Sequence, residues 1–160
     1  MFAATVVLLY LTSTVYHAWP RGKAKHVLRL VEHSAIFLLI AGTYTPFVLG
    51  ALRGAWGWTI GGLVWGLAVI GVLLKIVTGV RYPALSLTLY VGMGWLMLVA
   101  VRPLWLRVPM PGLGWLVLGG LSYMAGVAFF TAKRRYAHFV WHLFVLAGTT
   151  CHYIAIRYYG

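Results

Sequence analysis

Carboxylates are almost missing from this chain. Glu32 is its only acidic side chain, set against 13 lysines and arginines for a formal charge of +12. Such a balance invites a polyanion. Here, however, the cations stand singly or in short clusters between apolar runs, as the loop anchors of a membrane protein do, so nucleic acid is not the expected partner. Cysteine is scarce as well. Cys151 stands alone, which excludes an internal disulfide and any cysteine-based zinc motif, and its place in an apolar run reads as a small packing residue. Charged residues of either sign make up 9% of the 160, where a soluble domain carries about a quarter. They are too few to clothe a water-facing surface. Alternating segments of ~10 residues are absent, which argues against a membrane β-barrel. The N-terminal stretch lacks a basic leader and a small-residue cleavage site and is not read as a signal peptide.

What is abundant is apolar: 62% of residues are hydrophobic, and the mean hydropathy is +0.91. They fall into six runs, near Phe2 to Trp19, Val27 to Leu49, Trp56 to Val77, Ala84 to Val101, Leu113 to Ala132 and Ala137 to Ile156. Roughly 20 residues of helix cross a ~30 Å hydrocarbon core, and backbone groups in lipid must bond within their own segment. The expected fold is all-α, a polytopic membrane helix bundle of six transmembrane helices forming one domain over residues 1–160. Short breaks make neighbouring helices antiparallel. The breaks after runs one, three and five carry nine basic residues (Arg21, Lys23, Lys25, Arg29, Lys75, Arg81, Lys133, Arg134 and Arg135), and the opposite side carries Arg53, Arg102, Arg107 and Arg157. The positive-inside bias therefore puts the first set in the cytoplasm and both termini outside. Gly57, Gly61, Gly62 and Gly66, with Gly119, Gly120 and Gly126, are expected to let helices approach closely.

Polar side chains inside membrane spans are costly and are the first place to seek a site. In Tyr136-Ala137-His138-Phe139-Val140-Trp141-His142, His138 and His142 are four residues apart. On a helix they share one face and can grip one divalent metal. The alternative is a pair of ordinary helix histidines. His17 closes run one, with Ser13 one turn earlier on the same face, and Glu32 and His33 open run two. Alternating helix direction brings all three regions to the face assigned to the cytoplasm. Three imidazoles with a nearby acid would make an open zinc site with room for water. His33 points about 100° away from Glu32 on a helix and is a weaker candidate. His26 is expected in the solvated basic loop. His152 is about 15 Å beyond His142 along the axis, too far to share the metal.

Ser13-Thr14-Val15-Tyr16-His17, the long block from Glu32-His33-Ser34 to Thr43-Tyr44-Thr45-Pro46, and His138-Phe139-Val140-Trp141-His142 resemble the three blocks of the hemolysin III family. That family belongs with the progestin and adipoQ receptors and is more distantly similar to the alkaline ceramidases. The resemblance implies Zn2+ held by His17, His138 and His142 near the cytoplasmic side, with Ser13 and Glu32 serving the outer shell or the bound water. It also implies a lipid-like amide or ester as substrate, with Glu32 as general base and Ser13 orienting water or substrate. The expected location is a bacterial plasma membrane, with the bilayer and a lipid-like substrate as partners. Two departures stand out. The family acid at position 32 is usually Asp, and the family pattern has seven spans, so this chain seen alone begins at the second. That implies a homo-oligomer, or a further helix supplied by a longer form. Two other functions remain open: a non-catalytic sensor or regulator of membrane homeostasis, and a membrane-perturbing, pore-forming protein. The pore has little support, because the polar groups cluster at one face and the outer halves are apolar.

Overall fold

In the computed structural model, which describes residues 1–159, the chain is a succession of helices. They are α1 (Phe2–Ala18), α2 (Lys23–Leu49), α3 (Ala55–Thr78), α4 (Pro83–Trp95), a 3₁₀ turn (Leu96–Ala100), α5 (Val101–Arg107), α6 (Met110–Thr131) and α7 (Ala137–Tyr159). No strand occurs among the described residues. Five segments are long and apolar enough to cross a membrane: α2, α3, the interrupted Pro83–Arg107 segment, α6 and α7. α1 is a shorter apolar helix. Large apolar side chains cover the outside. Trp58 and Val77 are each 82% exposed, a surface that water would not tolerate but lipid does.

Two compact units divide the chain, residues 1–49 with 53–100, and residues 50–52 with those from Val101 on. In the first unit α2 is the central helix, and its contacts fix the register of its neighbours. Thr5 packs on Gly42 and Ser13 reaches Glu32, so α1 and α2 are antiparallel. Phe37 fills the space beside Gly71, Trp65 Nε1–H donates to Thr45 Oγ1 at 3.2 Å, and Val48 faces Gly61, so α3 runs back along α2. α4 returns parallel to α2, with the Tyr90 ring 4.4 Å from that of Phe37 and its hydroxyl donating to the His33 carbonyl at 2.8 Å. In the second unit α6 and α7 form an antiparallel hairpin. Gly126 lies under Phe144, the Gly148 backbone approaches that of Gly119, and the Tyr123 and Thr149 hydroxyls bond at 2.9 Å.

Three details differ from the sequence reading. The helix of run two starts at Lys23, so Lys23, Lys25 and His26 are helical and not loop residues. The constraint that forces helix in lipid does not forbid it from continuing into the wet interface. Run four is not one continuous helix. The Tyr44 hydroxyl inserts between Met93 and Met97, lying 2.6 Å from the Met93 carbonyl and 2.9 Å from that of Gly94, and it accepts from the Met97 N–H at 3.0 Å. A side chain inserted into the ladder breaks a helix, and the phenol satisfies the backbone groups released. Finally, close approach occurs at other glycines than the stripe of run three suggests. A Cβ at Gly62, Gly66 or Gly120 would meet nothing within 4 Å, whereas one at Gly42, Gly71, Gly112 or Gly148 would collide with a facing side chain.

Candidate functional site

The first unit holds one buried carboxylate. Glu32 is 1% exposed, on the face of α2 covered by α1. An ionised carboxylate in such a place needs partners. Ser13, buried on α1, donates its hydroxyl to Glu32 Oε1 at 2.6 Å, a short charge-assisted bond. His17, one turn further along α1, places Nε2 3.7 Å from the same oxygen, and the His17 side chain is 52% exposed. At that distance the two groups do not bond directly. The gap suits a shared water or cation. Ser13 and His17 thus meet the acid together, as their spacing of four on α1 allows.

His33 is closer to Glu32 than the helical wheel suggests. Its Nδ1 lies 3.9 Å from Glu32 Oε2 while facing the Arg29 carbonyl at 2.9 Å. The ring folds back along its own helix, so adjacent residues approach although their Cα–Cβ directions diverge. With the His33 carbonyl held by Tyr90, this turn of α2 is fixed on both sides. Neither Tyr90 nor Tyr44 was recognisable as a site-supporting residue. Each acts on a helix some 50 residues away in sequence, and no local pattern signals that. Lys75, expected at a loop, is instead buried in the last turn of α3.

In the second unit Tyr136, with φ 66°, turns the chain into α7. One residue inside the helix the histidine pair begins. The rings of His138 and His142 meet edge to face, with centroids 4.8 Å apart, and their Nε2 atoms are 3.2 Å apart. The Trp141 ring, buried between them in sequence, packs against both. His152 lies well along the same helix. Its Nε2 is 3.3 Å from the Leu116 carbonyl, its ring fills the space beside Gly119, and it stands edge-on to Tyr123. It packs the α6–α7 hairpin. Cys151 is buried nearby.

Two imidazole nitrogens bound to one zinc at ~2.0–2.1 Å and tetrahedral angles stand about 3.3 Å apart. The 3.2 Å between His138 and His142 matches that bite.

Comparison with known proteins shows the family. The family model described as Haemolysin-III related matches residues 1–153. The chain is 42% identical over 160 residues to the Hemolysin-3 homolog of Bacillus subtilis, covering 99% of this chain and 75% of that one. It is 40% identical over 160 residues to Hemolysin-3 of Bacillus cereus, at 99% and 73% coverage. It is 30% identical over 162 residues to the human Monocyte to macrophage differentiation factor, at 94% and 65% coverage. No solved structure matches it significantly.

Proposed function

This chain belongs to the haemolysin-III related family of integral membrane proteins, and from that premise we propose that it is a zinc-dependent hydrolase of a lipid-type amide or ester. The observation that carries the reading is the 3.2 Å between the Nε2 atoms of His138 and His142. In this reading, as the family resemblance implies, His17 would be the third ligand and Glu32 would serve the bound water. A bound zinc ion brings the pKa of its water down to about 7 and polarises a carbonyl.

The chain's own residues do the rest. Glu32 accepts the proton of the attacking water as the water oxygen bonds to the carbonyl carbon. As the bond to the amine or alcohol breaks, Glu32 returns that proton to the leaving group. Ser13 donates to Oε1 at 2.6 Å, which fixes the carboxylate with that oxygen, the one nearer His17, placed to take the proton. Exposure of His17 beside buried Glu32 gives the site a wet side and a dry side. The apolar surroundings favour a substrate that arrives from lipid.

The test is elemental analysis of the purified chain followed by lipid amide hydrolysis with and without chelator. About one zinc per chain, lost in His17→Ala and His138→Ala, with turnover abolished by chelator, is expected. Equal hydrolysis by wild type and His142→Ala would overturn the reading. Metal held without turnover on any lipid amide or ester would reassign the site to a non-catalytic regulator.

A further inference from the structure

Where α1 ends and α2 begins, an open cleft of about 250 Å³ is lined by Tyr16, Arg21, Gly22, Lys25, His26 and Arg29. Three permanent cations therefore line one small space. Lys25 is fixed in it, donating from Nζ to the Trp19 carbonyl at 2.8 Å and lying 5.2 Å from the centre of the Tyr16 ring. A fourth cation lies behind. The contact of Phe37 with Gly71 sets the register of α2 against α3, so one turn further on His33 faces Lys75, and the turn after brings Arg29 into range. Lys75 is 3% exposed. Glu32 gives its carboxylate to Ser13 and two flanking histidines, and none of Arg21, Lys25, Arg29 and Lys75 has a carboxylate partner among the described residues. Like charges so arranged repel, and they favour an anion among them.

We propose that this cleft binds the phosphate of an anionic phospholipid headgroup. Guanidinium groups suit phosphate because their donors form a planar fork, and an ammonium adds a point charge. The volume is below the ~300 Å³ of ordinary small-molecule pockets, enough for a phosphodiester and its ester arms and not for a large ligand. A lipid source follows from the position. The cleft sits at helix ends, beside the exposed indole of Trp19, at the depth where aromatic and basic residues meet headgroups. The site stands whether or not the chain hydrolyses anything.

The experiment measures phosphatidylglycerol retained by the full chain in neutral detergent, by native mass spectrometry across a lipid titration. Arg21→Gln with Lys25→Gln and Arg29→Gln should weaken retention about ten-fold or more, the loss of several charge-assisted contacts. The control Lys133→Gln with Arg134→Gln and Arg135→Gln removes the same charge outside the cleft and should leave retention within about two-fold. Equal weakening by both sets, or none by the first, would overturn the proposal. If the triple cleft variant does not elute as a folded chain, Arg29→Gln against Arg134→Gln makes the same comparison. Lipid retained against excess inorganic phosphate supports the headgroup as ligand. Inorganic phosphate that displaces the lipid by binding the cleft more tightly overturns it in favour of the free anion.

Discussion

Replacing Tyr44 by Phe removes one oxygen atom and nothing else, and the structure says what that oxygen does. It lies 2.6 Å from the Met93 carbonyl and accepts from the Met97 N–H at 3.0 Å, across the turn where α4 gives way to the 3₁₀ segment. Tyr44 and Met93 are both buried, so no water stands ready to replace it. Each intramolecular hydrogen bond contributes about 0.5–1.5 kcal/mol net, and bonds within membrane bundles average ~0.6 kcal/mol with a maximum near 1.7. Two such bonds give an expected loss of about 1.5 kcal/mol, roughly ten-fold in the unfolding equilibrium constant. The assay is reversible unfolding in mixed micelles titrated with sodium dodecyl sulfate, followed by circular dichroism. Tyr153→Phe, at a side chain 54% exposed, is the control and should change stability by less than about 0.5 kcal/mol. A Tyr44→Phe protein as stable as that control would refute the reasoning. It would mean that Met97 N–H closes directly on Met93 C=O and that the phenol does not hold the break open.

Gly71→Ala drives a methyl into the Phe37 ring, which is itself pinned by Tyr90, and should cost about 1–3 kcal/mol in the same titration. Gly66→Ala on the same helix meets nothing and should stabilise by up to about 1 kcal/mol, so the two substitutions differ in sign. Gly148→Ala, which would place a carbon 2.9 Å from Tyr123 Cε1 and 3.0 Å from the Gly119 carbonyl, should loosen the α6–α7 hairpin, seen as faster amide exchange of both helices. Ser13→Ala unties Glu32 Oε1 and should lower zinc affinity or activity about 10–100-fold, read by competition with a chromogenic chelator and by turnover; no change in either would sever Ser13 from the site.

The six apolar runs announce the helices because lipid leaves a backbone no other way to bond, and their ends fall close to where Pro20, Pro83 and the Lys133–Arg135 cluster stand. The histidine pair was legible for a similar reason: a separation of four is a statement about distance on any helix. The meeting of Ser13 and His17 with Glu32 needed more. Their spacing shows that Ser13 and His17 share a face, but that this face meets Glu32 is a fact of antiparallel register, carried by Thr5 seated on Gly42. The break after α4 was invisible because the residue that makes it lies on another helix. Gly92 and Gly94, which soften that segment, only permit it. Lys75 misled by its position near a run's end, where a basic residue ordinarily snorkels to water. Packing against α2 buries it instead.

One carboxylate among 13 lysines and arginines is a constraint as well as a scarcity. Among the described residues any side-chain charge pair must draw on Glu32, and Glu32 is buried between a serine hydroxyl and two imidazoles, with no ion pair to the cleft arginines or lysine. The acid is thus kept for a hydroxyl and two imidazoles, and Arg21, Lys25 and Arg29 have no carboxylate partner among the described residues. In a soluble protein that distribution would be self-repelling and poorly stable. At a membrane surface anionic lipids would supply counterions. The same arrangement thus keeps the Glu32 carboxylate apart from the cleft cations and leaves the cationic cleft open to an anion.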